Sequence, residues 1–249
     1  DGSIPGKGRM SNMDAELHLY DLVMIGQKET CGKELFESTM NGKKEYNPVD
    51  EARALKIIRY AFEYYLGWTP EQVHANIDPA ILKRLKVDSM VRQRIKFPVE
   101  LEPMESLQYL VHKLYPDRYY YDENRAVEDY YDRVLSGEIT RFKKGFFARG
   151  DEGSRRRAEI CFRRMLQMIG PFTDVHQLYD LFSSTKGNKL LGKFKLGSAV
   201  RDLYDIPITF LHQSLPVSER DDLYYHKNHF RLKNEKTKKE MKKAGIFIA

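Results

Sequence analysis

The feature that most constrains this chain is a helical pattern written twice. Tyr20-Asp21-x-Val23-x-x-Gly26 returns as Tyr131-Asp132-x-Val134-x-x-Gly137, and Leu35-Phe36 returns at the same spacing as Phe146-Phe147. A degenerate duplication of this kind predicts tandem modules, each burying its own apolar stripe. It points toward recognition or scaffolding rather than a single catalytic pocket.

The first helix of each repeat carries an apolar stripe: Leu17, Tyr20, Val23 and Met24 in one, Val127, Tyr130, Tyr131, Val134 and Leu135 in the other. Gly26 and Gly137 stand where a left-handed residue ends a helix. The Leu35-Phe36 and Phe146-Phe147 pairs are expected to plug the cores of their repeats. The second helix is the most strongly patterned. Ala54, Ile58, Ala61, Phe62 and Tyr65 share a face, with Arg53, Lys56, Arg59 and Glu63 opposite; Ala158, Phe162, Met165, Leu166 and Ile169 keep that spacing, and Arg157 and Arg163 match Arg53 and Arg59. The first repeat carries the longer polar loop, around residues 41–50, an insertion that costs little in closure entropy.

The third helix opens on a readable cap: Trp68 as staple, Thr69 as N-cap, Pro70 at N1 and Gln72 at N3. Phe172-Thr173-Asp174 repeats that logic without the proline, and Asp78-Pro79 caps a further helix. Residues 183–188 read as a polar insert that blurs the match. Ser89-Met90-Val91-Arg92 answers to Ser198-Ala199-Val200-Arg201, and His112-x-x-x-Pro116 to His212-x-x-x-Pro216, so both repeats end in an apolar helix halted before a proline. The predicted fold is all-α: two degenerate tandem helical units with helix-turn-helix-like elements in each, over 10–117 and 118–217, packed together. A leader over 1–9 and a basic C-terminal extension over 218–249 flank them. Leu35-Phe36, Leu66-Gly67-Trp68-Thr69 and residues 110–116 resemble helical modules repeated in bacterial proteins, a resemblance that implies no activity.

Charge then narrows the function. The chain carries a net +6. Between residues 226 and 243, Lys227, Arg231, Lys233, Lys236, Lys238, Lys239, Lys242 and Lys243 face only Glu235 and Glu240, so this stretch accounts for the whole excess. Residues 141–164 are also basic and residues 100–132 acidic. No apolar run approaches the ~20 residues of a membrane span, the first residues show no secretion signal, and Cys31 with Cys161 reads as two reduced thiols in a cytoplasm.

The short helices around 69–76 and 79–85, followed by one from Ser89, have helix-turn-helix proportions. Lys83, Arg84, Lys86, Arg92, Arg94 and Lys96 follow that turn; Lys186, Lys189, Lys193, Lys195 and Arg201 hold the matching zone. Such residues neutralise phosphates or read guanine edges, although short helices joined by tight turns also occur throughout all-α proteins. Arg155 and Arg156, with Arg157, Arg163 and Arg164, give the second repeat the more basic face; docking onto the acidic 100–132 segment is the alternative use for them. In the tail, Lys227, Arg231, Lys233, Lys238 and Lys239 interleave with Tyr224, Tyr225, His226, His229 and Phe230, an arrangement that stacks on unpaired bases while tracking the backbone, or merely makes a solvated helix.

Nothing else carries chemistry. His226-x-x-His229 lacks partner ligands for a metal, His112 and His212 are expected to pack or cap, Asp21 and Asp132 to lie on helix surfaces, and Gly145, Gly150 and Gly153 lack the Gly-Lys-Ser/Thr ending of a phosphate loop. The expectation is a non-enzymatic cytoplasmic protein without cofactor or membrane partner that binds DNA or RNA. Its rival is a protein-interaction scaffold using the Tyr-rich residues 119–131.

Overall fold

A computed structural model describes residues 15–30, 35, 36 and 46–243 of the chain. The leader, Cys31 and the loop around 41–45 lie outside the described residues. All regular structure among them is helical, and the chain divides into two compact units between Tyr121 and Asp122.

Unit 1 contains α1 (Ala15–Met24), α2 (Pro48–Tyr60), α3 (Pro70–Asn76), α4 (Pro79–Arg84), α5 (Asp88–Arg94) and α6 (Pro103–Leu114). Asn47 accepts hydrogen bonds from the Val49 and Asp50 amides and Pro48 fixes the first turn, so α2 starts where the chain leaves its polar loop. Its apolar stripe packs against α1, α5 and α6. Ala54, Ile57, Ile58, Ala61 and Phe62 are all fully buried, each large side chain contributing about 1.5–3 kcal/mol of burial. The helix widens into a π-turn over Ala61–Tyr65. Tyr65, expected inside, is half-buried because its hydroxyl turns out to Asp21 at 2.8 Å. Thr69 and Gln72 form the capping box of α3, and Asp78 caps α4 through the Ile81 amide.

Unit 2 contains α7 (Glu123–Ser136), α8 (Glu152–Ile169), α9 (Val175–Phe182), α10 (Thr185–Lys193), α11 (Gly197–Ala199), α12 (Pro207–Ser214) and α13 (Asp222–Lys243), with a π-turn over Val200–Tyr204 between α11 and α12. Its core is Tyr131, Phe146, Ala158, Phe162, Met165, Tyr179, Phe182 and Phe210. The residues expected to be a polar insert are structural. Ser184 caps α10 through the Lys186 amide, and the helix lies so close to α9 that a Cβ on Gly187 would stand 2.7 Å from the Leu181 carbonyl oxygen. Asp174, not Thr173, caps α9.

Several tertiary hydrogen bonds recur. Tyr20 donates to the Leu85 carbonyl at 2.7 Å and Tyr131 to that of Phe194 at 2.8 Å. Lys86 adopts φ 53° and its ammonium caps the Val23 carbonyl at 2.8 Å; Lys195 adopts φ 57° and caps the Val134 carbonyl at 2.6 Å. Arg53 donates to the Leu35 carbonyl and Arg157 to that of Phe146. Gly26 and Gly137 end α1 and α7 at φ 78° and 87°, the left-handed region that favours glycine.

Candidate nucleic-acid interface

The basic residues singled out from sequence have different fates. In unit 1, Lys83 and Arg84 on α4 are exposed, and Arg92 on α5 is exposed but paired with Asp88 at 2.7 Å. Arg94 is committed to the interior: it stacks 4.6 Å from the Phe36 ring centroid and reaches the buried carboxylate of Asp50 at 3.4 Å. Asp50 and the neighbouring Glu51 escape a pattern-based reading, because nothing in their spacing announces a buried acid. Glu51 is held by Lys113 at 3.1 Å, by the Lys96 amide and by the Tyr46 hydroxyl, whose own pKa is raised to about 12 by burial and this carboxylate. These acids tie α2 to α5 and α6. They form a structural network, in which each carboxylate is held by basic side chains: Asp50 by Arg94 and Arg53, Glu51 by Lys113.

In unit 2 the arginine run is largely consumed. Arg156 pairs with Glu123 at 2.7 Å and Arg164 with Asp132 at 2.7 Å, so the acidic stretch takes up part of the basic face, as the alternative reading expected. Asp132 therefore serves as an ion-pair acceptor; that bond also holds the Arg164 guanidinium above its ordinary value. Arg157 is buried. Arg155 is exposed and lies over the Tyr204 ring.

A different set remains outward. Lys186, Lys189 and Lys193 fall at i, i+3 and i+7 of α10 and form one exposed stripe. Lys195 is exposed but uses its ammonium to cap α7, and Arg201 is exposed beside Asp202, whose carboxyl it holds below the usual range. Lys227, Arg231, Lys233, Lys238 and Lys239 are all exposed on α13.

The tail aromatics do not reach outward as expected. The first turns of α13 pack on α9 and α12. Tyr224 stacks on His176 and donates to Asp180, while Tyr225 stacks on His212 with centroids 4.1 Å apart. These rings dock the helix, leaving His226 and Phe230, the latter 62% exposed, as the outward members of the expected set. His212 sits at the centre of that joint. Its Nε2 faces Asp222 at 3.1 Å, which fixes the proton there, so Nδ1 accepts from the Tyr179 hydroxyl at 2.6 Å. The Tyr-rich stretch also faces largely inward: Tyr119 stacks on His74, Tyr121 donates to buried Glu100, Tyr130 and Tyr131 are core, and Tyr120 alone of these five is fully exposed.

What brings distant residues together is a groove in unit 2 of about 610 Å³. Leu191, Val200, Ile206, Pro207 and Leu232 make its apolar floor, and Arg201, Arg231, Lys236 and Lys239 its cationic rim. Asp205, on the same wall, is bound by Lys236. It sits at φ 68° and ψ −47° in a tight γ-turn closed by the Ile206 amide and the Tyr204 carbonyl at 2.8 Å, a strained backbone of order 1–3 kcal/mol. Arg201 from the α11 side and Arg231 and Lys239 from α13 are thus assembled from segments the sequence could not place side by side.

Among the described residues no cluster of three or more His, Cys, Asp or Glu side chains forms a metal-holding set, and no helix is long and apolar enough to cross a membrane. No family model, curated protein or solved structure matches this chain, so the resemblance to bacterial helical modules gains no support from these comparisons.

Proposed function

We propose that this protein is a non-enzymatic nucleic-acid-binding protein built from two copies of one helical module, with unit 2 as the contact half. The recurring bonds support the duplication: a helix-borne tyrosine to a carbonyl, a left-handed lysine to the end of the first helix, and a second-helix arginine to the first carbonyl of the Leu35-Phe36 or Phe146-Phe147 pair. Hydrogen bonds between equivalent positions are harder to reach by chance than a shared apolar pattern.

The observation that carries the binding reading is the cationic groove flanked by the α10 lysine stripe. Arg231 and Lys239 have no carboxylate partner among the described residues, and Lys186, Lys189 and Lys193 are likewise unpaired. A surface whose cations are left unpaired on two adjoining helices favours phosphate over internal ion pairing. Unit 1 offers less, since Arg92 and Arg94 are engaged.

The test is fluorescence anisotropy with labelled oligonucleotides over a salt series. A strand touching about three phosphates gives a slope near −2 in log affinity against log salt. Charge reversal at Arg231 and Lys239 together should abolish most of the binding and flatten that slope. Absence of binding to any oligonucleotide at about 50 mM salt refutes the proposal.

A further inference from the structure

The groove of unit 2 does more than collect charge. Resting on the reading just given, we infer that it receives one unpaired nucleotide, with the base against the apolar floor and the phosphate at the Arg231–Lys239 rim.

Three features point there. The recess, at about 610 Å³, has the size of a small-molecule site rather than of a flat phosphate-tracking strip. Its floor of Leu191, Ile206, Pro207 and Leu232 gives a ring face something to desolvate against, which a phosphate does not need. Glu235 lines the same recess, one turn from both Arg231 and Lys239. A carboxylate there takes no phosphate itself, which falls to the cations on either side of it, but accepts hydrogen bonds from the amino group of a base, and the exposed amide of Asn188 offers both a donor and an acceptor.

The same features disfavour duplex. Stacked and paired bases cannot enter a recess walled by α10, the γ-turn and α13 without being extruded, and extrusion costs energy that a single strand does not owe. The lysine stripe on α10 lies outside the recess and serves either form of nucleic acid. The groove therefore supplies preference for single strands, and the stripe supplies affinity common to both.

The test compares a twelve-residue single strand with its duplex, as RNA and as DNA, against four variants. Asn188→Ala and Arg231→Ala change exposed side chains. Gly197→Phe narrows the recess at a position where an added Cβ meets nothing within 4 Å. Lys189→Ala/Lys193→Ala alters only the stripe. Far-UV circular dichroism and melting of each variant establish that it folds. We expect the wild type to bind single strands about tenfold or more tighter than duplex, a difference lost in the groove variants and kept in the stripe variant. Comparing the RNA and DNA arms identifies the sugar that the groove accepts. Equal affinity for duplex, or single-strand affinity unchanged by every folded groove variant, overturns this inference while leaving nucleic-acid binding intact. No binding to any oligonucleotide removes both.

Discussion

Truncating Arg157 to alanine should destabilise unit 2 by about 3–4 kcal/mol. Its side chain is 8% exposed and makes three hydrogen bonds: to the Phe146 carbonyl at 3.0 Å, Asp151 at 2.5 Å and the buried Ser154 hydroxyl at 3.1 Å. Losing the charged bond to Asp151 costs about 1.5–3 kcal/mol, and leaving a buried carbonyl without its donor about 1–3. The guanidinium also lies 5.4 Å from the Phe146 ring centroid, worth roughly 0.5–1 kcal/mol more. These terms overlap, because Asp151 is one-third exposed and regains water, so the total falls short of their sum. Arg53, which donates to the Leu35 carbonyl in unit 1, is the comparison. Its side chain is 29% exposed, its ion pair with Glu16 at 3.1 Å is partly solvated and its bond to that carbonyl at 3.1 Å is only part-buried, so Arg53→Ala should cost about 1–2 kcal/mol. Urea unfolding followed by far-UV circular dichroism reads both. At a slope of about 2 kcal/mol per molar urea, the Arg157 variant loses about 1.5–2 M of midpoint and the Arg53 variant about 0.5–1 M. Equal losses in the two variants, or a loss below about 0.3 M at Arg157, would show that burial does not set the worth of this arginine.

Two further expectations concern the scaffold. Burial holds the His212 imidazole below histidine's ordinary value of 6.5, so the unfolded chain takes up a proton there before the folded one does. Its contribution is therefore complete above about pH 6.5 and is lost as the pH falls through the folded value; half-buried His229 acts in the same sense, while half-buried His176, raised by its hydrogen bond to Asp221, acts in the opposite one. Urea midpoints measured between about pH 7 and pH 5 should fall less steeply for His212→Gln than for the wild type, and identical slopes would exclude His212 as a source of acid sensitivity. At the glycines, Gly137→Ala forces a side chain to φ 87° and should cost about 1–2 kcal/mol, whereas Gly192→Ala, on an open face of α10 with nothing within 4 Å of the added Cβ, should gain about 0.5–1; thermal melts of the pair settle both.

Much of the helical frame was legible because its signals are local. Gly26 and Gly137, the Thr69 capping box, Asp78, and the prolines after α6 and α12 act within a few residues of themselves, and sequence order preserves that information. The helix at Thr185–Lys193 was lost for a tertiary reason. Gly187 lowers helix propensity but is needed where α10 meets α9, and no neighbour in sequence reveals that contact. Charge was the least legible property. Arg94 and Arg157 look like surface cations in a pattern of period 3.6, yet each answers an acid or carbonyl distant along the chain or one turn away. The groove was invisible for the same reason: Arg201 and Arg231 become neighbours of one recess only through the docking of α13, which rests on Tyr225 and His212 rather than on any charge.

The sole tryptophan of the chain, Trp68, stacks on Phe62 with centroids 6.0 Å apart, inside unit 1. Indole emission from this protein consequently listens to one half of the molecule. Urea unfolding followed by that signal should report the loss of unit 1, while far-UV circular dichroism reports the helices of both units. A gap between the two midpoints would then time the unfolding of one half against the other, obtained without attaching any dye.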